Sequence, residues 1–245
     1  MLVFILGTAG SGKTTLAKNF SDYLKEKEEA TLINLDPGND LNADVNIRDY
    51  VKAEDVMRKY NLGPNSALIK SIELMYDKID QILSKIPDVY WKIIDTPGQL
   101  ELFLYKDIGK RIVKKFKEID NEVALVFLVD VNDVLKPENL VSILAWQVII
   151  SLRLEENSCV VINKKDLLSE EEMNKLKLEL KLKKPLEELK KKDALSYMIA
   201  ESFKEFYEYS TIWRRPIFIS ALKKEGFDEL EDVIRELFCT CGDIS

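Results

Sequence analysis

Six short, almost unbroken apolar runs punctuate the chain, at residues 2–6, 31–34, 91–94, 123–129, 159–162 and 216–219. Runs so continuous suit strands buried on both faces rather than strands with one face in water. Between them, apolar positions fall at helical spacing over 15–27, 67–86, 107–116, 140–154 and 227–238. Leu16, Phe20 and Leu24, for example, share one helix face. Strand and helix in alternation predict an α/β fold, a three-layer α/β/α arrangement with a mainly parallel central sheet. One segment departs from the pattern. Over 175–184 leucine alternates with charge at period two, the spacing of a strand, yet Leu, Glu and Lys are strong helix formers. The spacing predicts helices across 169–192, with Pro185 marking a break between two of them. That stretch reads as a solvated charged face or as a docking surface for a partner.

The first apolar run ends in Gly7-Thr8-Ala9-Gly10-Ser11-Gly12-Lys13-Thr14, which fits G-x-x-x-x-G-K-[ST]. Glycines let the backbone curl so tightly that successive N–H groups point inward at an anion. Gly10, Ser11, Gly12, Lys13, Thr14 and Thr15 are therefore predicted to contact nucleotide. Lys13 reaches for the β- and γ-phosphates, and the Thr14 hydroxyl is a ligand for Mg²⁺. The helix starting near Thr14 adds its positive dipole end. This combination predicts binding of a nucleoside triphosphate.

The fifth run leads into Asn163-Lys164-Lys165-Asp166, an N-K-x-D sequence after a buried strand. A carboxylate at Asp166 accepts from both N1–H and the exocyclic amine of guanine, donors that adenine does not offer. Lys164 can lay its stem on the base, and Asn163 can tie the loop together. Ser220-Ala221 follows the last run and matches the weaker S-A element, whose Ala221 amide would meet the guanine oxygen. Asp95-Thr96-Pro97-Gly98-Gln99 matches D-x-x-G: Asp95 would hold Mg²⁺ through water, and the Gly98 amide would sense the γ-phosphate. Gln99, Glu101 and Asp36 are each placed to orient or deprotonate the attacking water. Asp36 opens Asp36-Pro37-Gly38-Asn39, which otherwise reads as an ordinary turn. Arg48 and Arg58 are candidates for an arginine finger by position only.

Composition narrows the setting. The 245 residues suit one domain or two small ones, and 46% apolar content is ample for a core. A formal charge of −7 argues against broad nucleic-acid binding. No run approaches the roughly 18 apolar residues of a membrane span, and none resembles a signal peptide core, so a cytoplasmic protein is expected. The three cysteines, Cys159, Cys239 and Cys241, read as free thiols in a reducing compartment.

With Gly63-Pro64-Asn65 lying between the phosphate loop and D-x-x-G, the chain resembles the GPN-loop GTPases. Alone, that tripeptide is a turn that ends one helix and caps the next. Asn34-Leu35-Asp36-Pro37 and the run from Asp95 to Phe103 are similar to that family's sequences as well. The resemblance covers about residues 1–222, and the lack of extensions makes archaeal members the nearer likeness. It implies a phosphate-loop GTPase fold of the signal-recognition and MinD-like (SIMIBI) branch. It implies one GTPase domain over 1–245, with a GPN-loop insertion about 50–75 and a helical insertion about 169–209. It further implies GTP, GDP and Mg²⁺ as ligands, and a homodimer in which Gly63, Pro64 and Asn65 of one subunit enter the other's nucleotide site. Eukaryotic relatives are linked to RNA polymerase assembly, so a protein client is implied but not named.

Two other readings compete with a dimeric GTPase acting as an assembly switch. One is a GTP-binding scaffold with little hydrolysis. The other is a metallochaperone GTPase, which needs clustered His and Cys ligands, and the chain has no histidine.

Overall fold

All six predicted runs form strands in the computed structural model, whose described residues are 1–105, 107–202 and 215–238. They are β1 (Leu2–Gly7), β2 (Ala30–Asn34), β4 (Trp91–Asp95), β5 (Val123–Asp130), β6 (Asn157–Asn163) and β7 (Ile217–Phe218). A two-residue strand, β3 (Val45–Asn46), is too short to leave a hydrophobic signal. Every pairing is parallel, in the order β3-β2-β4-β1-β5-β6-β7. The chain extends the sheet on one side of β1 as far as β4, then returns to build the other side from β5. The loop after β1 therefore opens at the point where the order reverses, which is where parallel sheets of this kind bind ligands.

Alternation along β1 divides the core in two. Leu2, Phe4 and Leu6 face one layer, and Val3 and Ile5 the other. The second layer holds α1 (Lys13–Lys25) and the last described helix, Phe227–Glu236. There the Phe20 and Phe227 rings meet edge to face with centroids 5.4 Å apart. The first layer holds α2 (Ala53–Tyr60), α3 (Pro64–Tyr76), α4 (Ile79–Leu83), α5 (Leu100–Tyr105), α6 (Ile108–Phe116), α7 (Val131–Val134), α8 (Pro137–Leu154), α9 (Glu170–Lys181), α10 (Lys184–Lys190) and α11 (Ala194–Ser202). Numbered in order, Phe227–Glu236 is α12. Phe4 and Phe116 are both fully buried, and each such aromatic contributes roughly 1.5–3 kcal/mol by burial alone.

The helix expected over 67–86 is two helices, α3 and α4, parted at Asp77 and Lys78. Met75, Ile79 and Ile82 are all buried, so the periodicity runs through the break and conceals it. Pro64 sits in the first turn of α3, where its missing N–H costs nothing. The period-two leucines are helical, as expected. Leu176 and Leu180 turn inward, while Leu178 and Leu182 are 53% and 54% exposed. A capping box between Ser169 and Glu172 starts α9, and Pro185 lies in the first turn of α10 after the break at Lys183. Residues 203–209 of the expected helical insertion, and Cys239 and Cys241, lie outside the described residues.

Candidate active site

Gly12 shows why the phosphate loop needs glycine. Its φ is +97°, and a Cβ there would stand 2.4 Å from the side-chain nitrogen of Asn163. A Cβ on Gly7 would stand equally close, 2.4 Å, to the Leu128 carbonyl of β5. The loop then closes on itself through Ser11 Oγ, which donates to Thr8 O at 2.9 Å. Lys13 is 6% exposed, and its ammonium donates to Gly7 O (2.9 Å), Thr8 O (3.0 Å) and Gly98 O (3.2 Å). Burial lowers its pKa, against the pull of Asp95, Asp36 and Glu101.

Thr14 Oγ1 donates to Asp95 Oδ2 at 2.8 Å and accepts from Asn39 Nδ2 at 2.6 Å. Asp95 is fully buried, and its Oδ1 has no hydrogen-bond partner among the described residues. Burial pushes its carboxyl up to about 7; Asp36 adds to the rise, while Thr14 and Lys13 oppose it. A buried, unpaired carboxylate oxygen beside a threonine hydroxyl is a donor set that fits a hard divalent cation. Among the described residues, no group of three or more acidic, Cys or His side chains is gathered for metal. A cation here would have to share its ligands with the phosphates, as Mg²⁺ does with nucleotides.

Asp36 ties two loops together at this end of the site. Its Oδ1 accepts from Gly38 N at 2.8 Å and its Oδ2 from Gly98 N at 3.0 Å. Burial raises its carboxyl pKa, and the two amides, Lys13 and Arg48 resist. The Gly98 amide, expected to sense γ-phosphate, is thus engaged by a carboxylate of the same chain. Thr96 Oγ1 fixes the D-x-x-G run to β1 through Ile5 O at 2.7 Å. Gln99 is half-buried, and Glu101 is exposed in the first turn of α5. Arg48 is committed elsewhere: it forks onto Glu54 at 2.6 and 3.1 Å and donates to Pro37 O at 2.7 Å. The same Pro37 carbonyl accepts from Ala53 N, at the start of α2, at 3.0 Å. Arg58 is 81% exposed beside Asp55.

At the base end, Asn163 closes β6 and joins two loops. Its Nδ2 donates to Ser11 O at 2.8 Å, and its Oδ1 accepts from Ala221 N at 2.9 Å. The Ala221 amide, expected to meet a guanine oxygen, is therefore donated to Asn163. Lys164 has a φ of +65°, and its ammonium meets Asp130 Oδ2 at 2.6 Å. Asp166 Oδ1 accepts from Ser220 Oγ at 2.5 Å, and Ser220 Oγ accepts in turn from Lys223 N. Gly10, Gly12, Thr15, Asn163, Lys164 and Asp166 line one cavity of about 330 Å³, with Ala221 on its wall. The phosphate-loop and base-reading residues are thus brought together.

Gly63, Pro64 and Asn65 are not part of that cavity. They lie exposed at the tip of the hairpin formed by α2 and α3, after Asn61 ends α2 with φ +50°. Sequence reasoning passed over Asn39 and Asp130. Asn39 hides in a turn that any Asn would suit, whereas Asp130 had a readable signal: a single acid ending an apolar strand.

The chain resembles known proteins along most of its length. A family profile described as "Conserved hypothetical ATP binding protein" matches residues 5–240. GPN-loop GTPase PAB0955 of Pyrococcus abyssi is 32% identical over 100% of both chains. GPN-loop GTPase QQT1 of Arabidopsis thaliana is 34% identical over 67% of this chain and 58% of its own. The crystal structure of PAB0955, a GTPase in apo form, matches with a TM-score of 0.81 at 31% identity, over 98% of each chain.

Proposed function

The chain belongs to the GPN-loop GTPase family, and from that premise we propose that it hydrolyses GTP to GDP and phosphate with Mg²⁺, as a homodimer serving as an assembly switch. The observation that carries the nucleotide assignment is Asn163, which bonds the phosphate loop at Ser11 and the base loop at Ala221 around one cavity. Asp166, on the same wall, favours guanine over the adenine in the matching profile's description, because adenine has no pair of donors for it.

In this reading, the amides of residues 10–15 hold the phosphates and Lys13 exchanges its carbonyl partners for phosphate oxygens. Thr14 and Asp95 would hold Mg²⁺, which would supply positive charge to offset that of the phosphates. Water attacks the γ-phosphorus as the bond to the β–γ bridging oxygen breaks, and that oxygen leaves with GDP. Of Asp36, Gln99 and Glu101, Asp36 is bonded to the Gly98 amide, so it is assigned to orient the water. The family likeness and the exposure of Asn65 at the hairpin tip support its delivery into a partner subunit's site, where its amide would meet phosphate. The absence of histidine leaves the metallochaperone reading without the histidine ligands it needs.

Single-turnover cleavage of bound GTP, with and without Mg²⁺, tests the activity. Asp36→Asn is expected to slow it by about 10²-fold or more while GDP still binds. For the shared site, Lys13→Ala and Asn65→Ala are each expected to be nearly inactive, and their mixed dimers to regain part of the rate. Mixed dimers that form by light scattering yet stay inactive would refute exchange of the Asn65 loop. Cleavage too slow to detect within hours in the wild type would favour the scaffold reading.

A further inference from the structure

Lys164 belongs to the base-reading run, but what fixes it lies outside any motif. Asp130 is the last residue of β5 and the register partner of Asn163 in β6. Its Oδ1 accepts from Asn132 N at 2.9 Å and so caps α7, while its Oδ2 accepts from Lys164 Nζ at 2.6 Å. Burial opposes ionisation of this carboxyl, yet Lys164 and the Asn132 amide outweigh it and hold the pKa below the usual range. The lysine itself stands in a left-handed conformation and lines the cavity shared by Gly12, Thr15 and Asp166. The exposed apolar side chains of Leu167 and Leu222 line it as well.

A lysine stem has four rotatable bonds, and immobilising it opposes any ligand that needs the stem in one place. Here both ends are already fixed, the backbone by the turn and the ammonium by a carboxylate rooted in a strand. We infer that Asp130 is a positioning residue for the guanine base: it holds the Lys164 stem along the cavity wall and so sets nucleotide affinity and residence time. This rests on the GTPase reading, but it assigns a role to a residue that touches neither base nor phosphate. The pair is partly exposed, at 35% for Lys164 and 20% for Asp130, so the effect should be modest.

The test is a cycle of GDP-binding measurements on the full chain with wild type, Asp130→Asn, Lys164→Met and the double variant. Asn can still accept from Asn132 N–H and so keeps the α7 cap, and Met keeps most of the stem without the charge. Asp130→Asn is expected to weaken GDP by about 3- to 5-fold, with faster release and a raised KM for GTP at unchanged kcat. In the Lys164→Met background the same change should alter affinity by less than about 2-fold. Inorganic triphosphate, which has no base, should compete equally well against wild type and Asp130→Asn. An equal loss in both backgrounds, an equal loss for triphosphate, or no loss at all would overturn the inference. Failure of the wild type to prefer GDP over ADP would instead defeat the guanine reading beneath it.

Discussion

At the base end of the cleft, Asn163, Lys164 and Asp166 each have a fixed partner, and a cavity of about 330 Å³ stands open beside those bonds. At the phosphate end, the groups that a phosphate and its cation would use are engaged with the chain itself. The Gly98 amide is held by Asp36, the Thr14 hydroxyl by Asn39 and Asp95, and the Lys13 ammonium by three carbonyls. A base therefore finds room beside those bonds and has only the Ala221 amide to win from Asn163, whereas phosphate at the other end must exchange partners at each of these groups. Exchange of one hydrogen bond for another changes net energy little but requires movement. Base contacts and phosphate contacts thus lie at opposite ends of one cleft, and a substitution can address either end.

The strongest way to sharpen that contrast is to reverse the polarity of the base end. Asp166→Asn puts a donor where an acceptor stood, so affinity should swing from GTP towards xanthosine triphosphate by roughly 3 kcal/mol or more. Competition binding with both nucleotides reads the swing, and an unchanged preference would reduce Asp166 to a partner of Ser220. Breaking the tie between the ends comes next. Asn163→Ala removes bonds to both Ser11 and Ala221 and leaves their polar groups inside, costing about 2 kcal/mol of unfolding free energy by denaturant titration. Variant and wild type unfolding together would show the two loops to be fixed by other contacts.

A pH-dependent effect isolates the phosphate end. The Asp95 carboxyl stands at about 7 in the fold against 3.8 ordinarily, so between those values the folded chain holds a proton the unfolded chain lacks. Stability of the nucleotide-free protein should therefore fall as pH rises through that window, by up to about 1.4 kcal/mol per unit, and stay low above it. Asp95→Asn cannot ionise: its unfolding free energy should lack that slope and exceed that of the wild type above neutral pH, while Mg²⁺-dependent cleavage is lost. Parallel pH profiles for the two proteins would assign the burden to another group.

Much of this was legible in the residues. The six apolar runs, the phosphate loop, N-K-x-D and D-x-x-G follow from local chemistry that a strand and its following loop carry by themselves. What escaped depends on neighbours distant in sequence. The engagement of Gly98 by Asp36 joins residues 62 apart, and that of Lys164 by Asp130 joins residues 34 apart. The extent of the short helix α2, expected only as the helix that the Gly63 turn ends, escaped for another reason: Val56 is its one buried residue, and a single position has no period. The break between α3 and α4 escaped because the buried spacing continues across it.

The Pro37 carbonyl is bonded at once to the amide that begins α2 and to the Arg48 guanidinium, a step from the carboxylate that holds Gly98. For a drifting sequence this is a double constraint. A replacement in residues 36–39 that suits the nucleotide must also seat the hairpin presenting Asn65, and one that reshapes the hairpin base is felt by the nucleotide. Variation in this stretch is therefore confined to changes both duties tolerate, whereas the solvent faces of α9 and α10 are free of that double constraint.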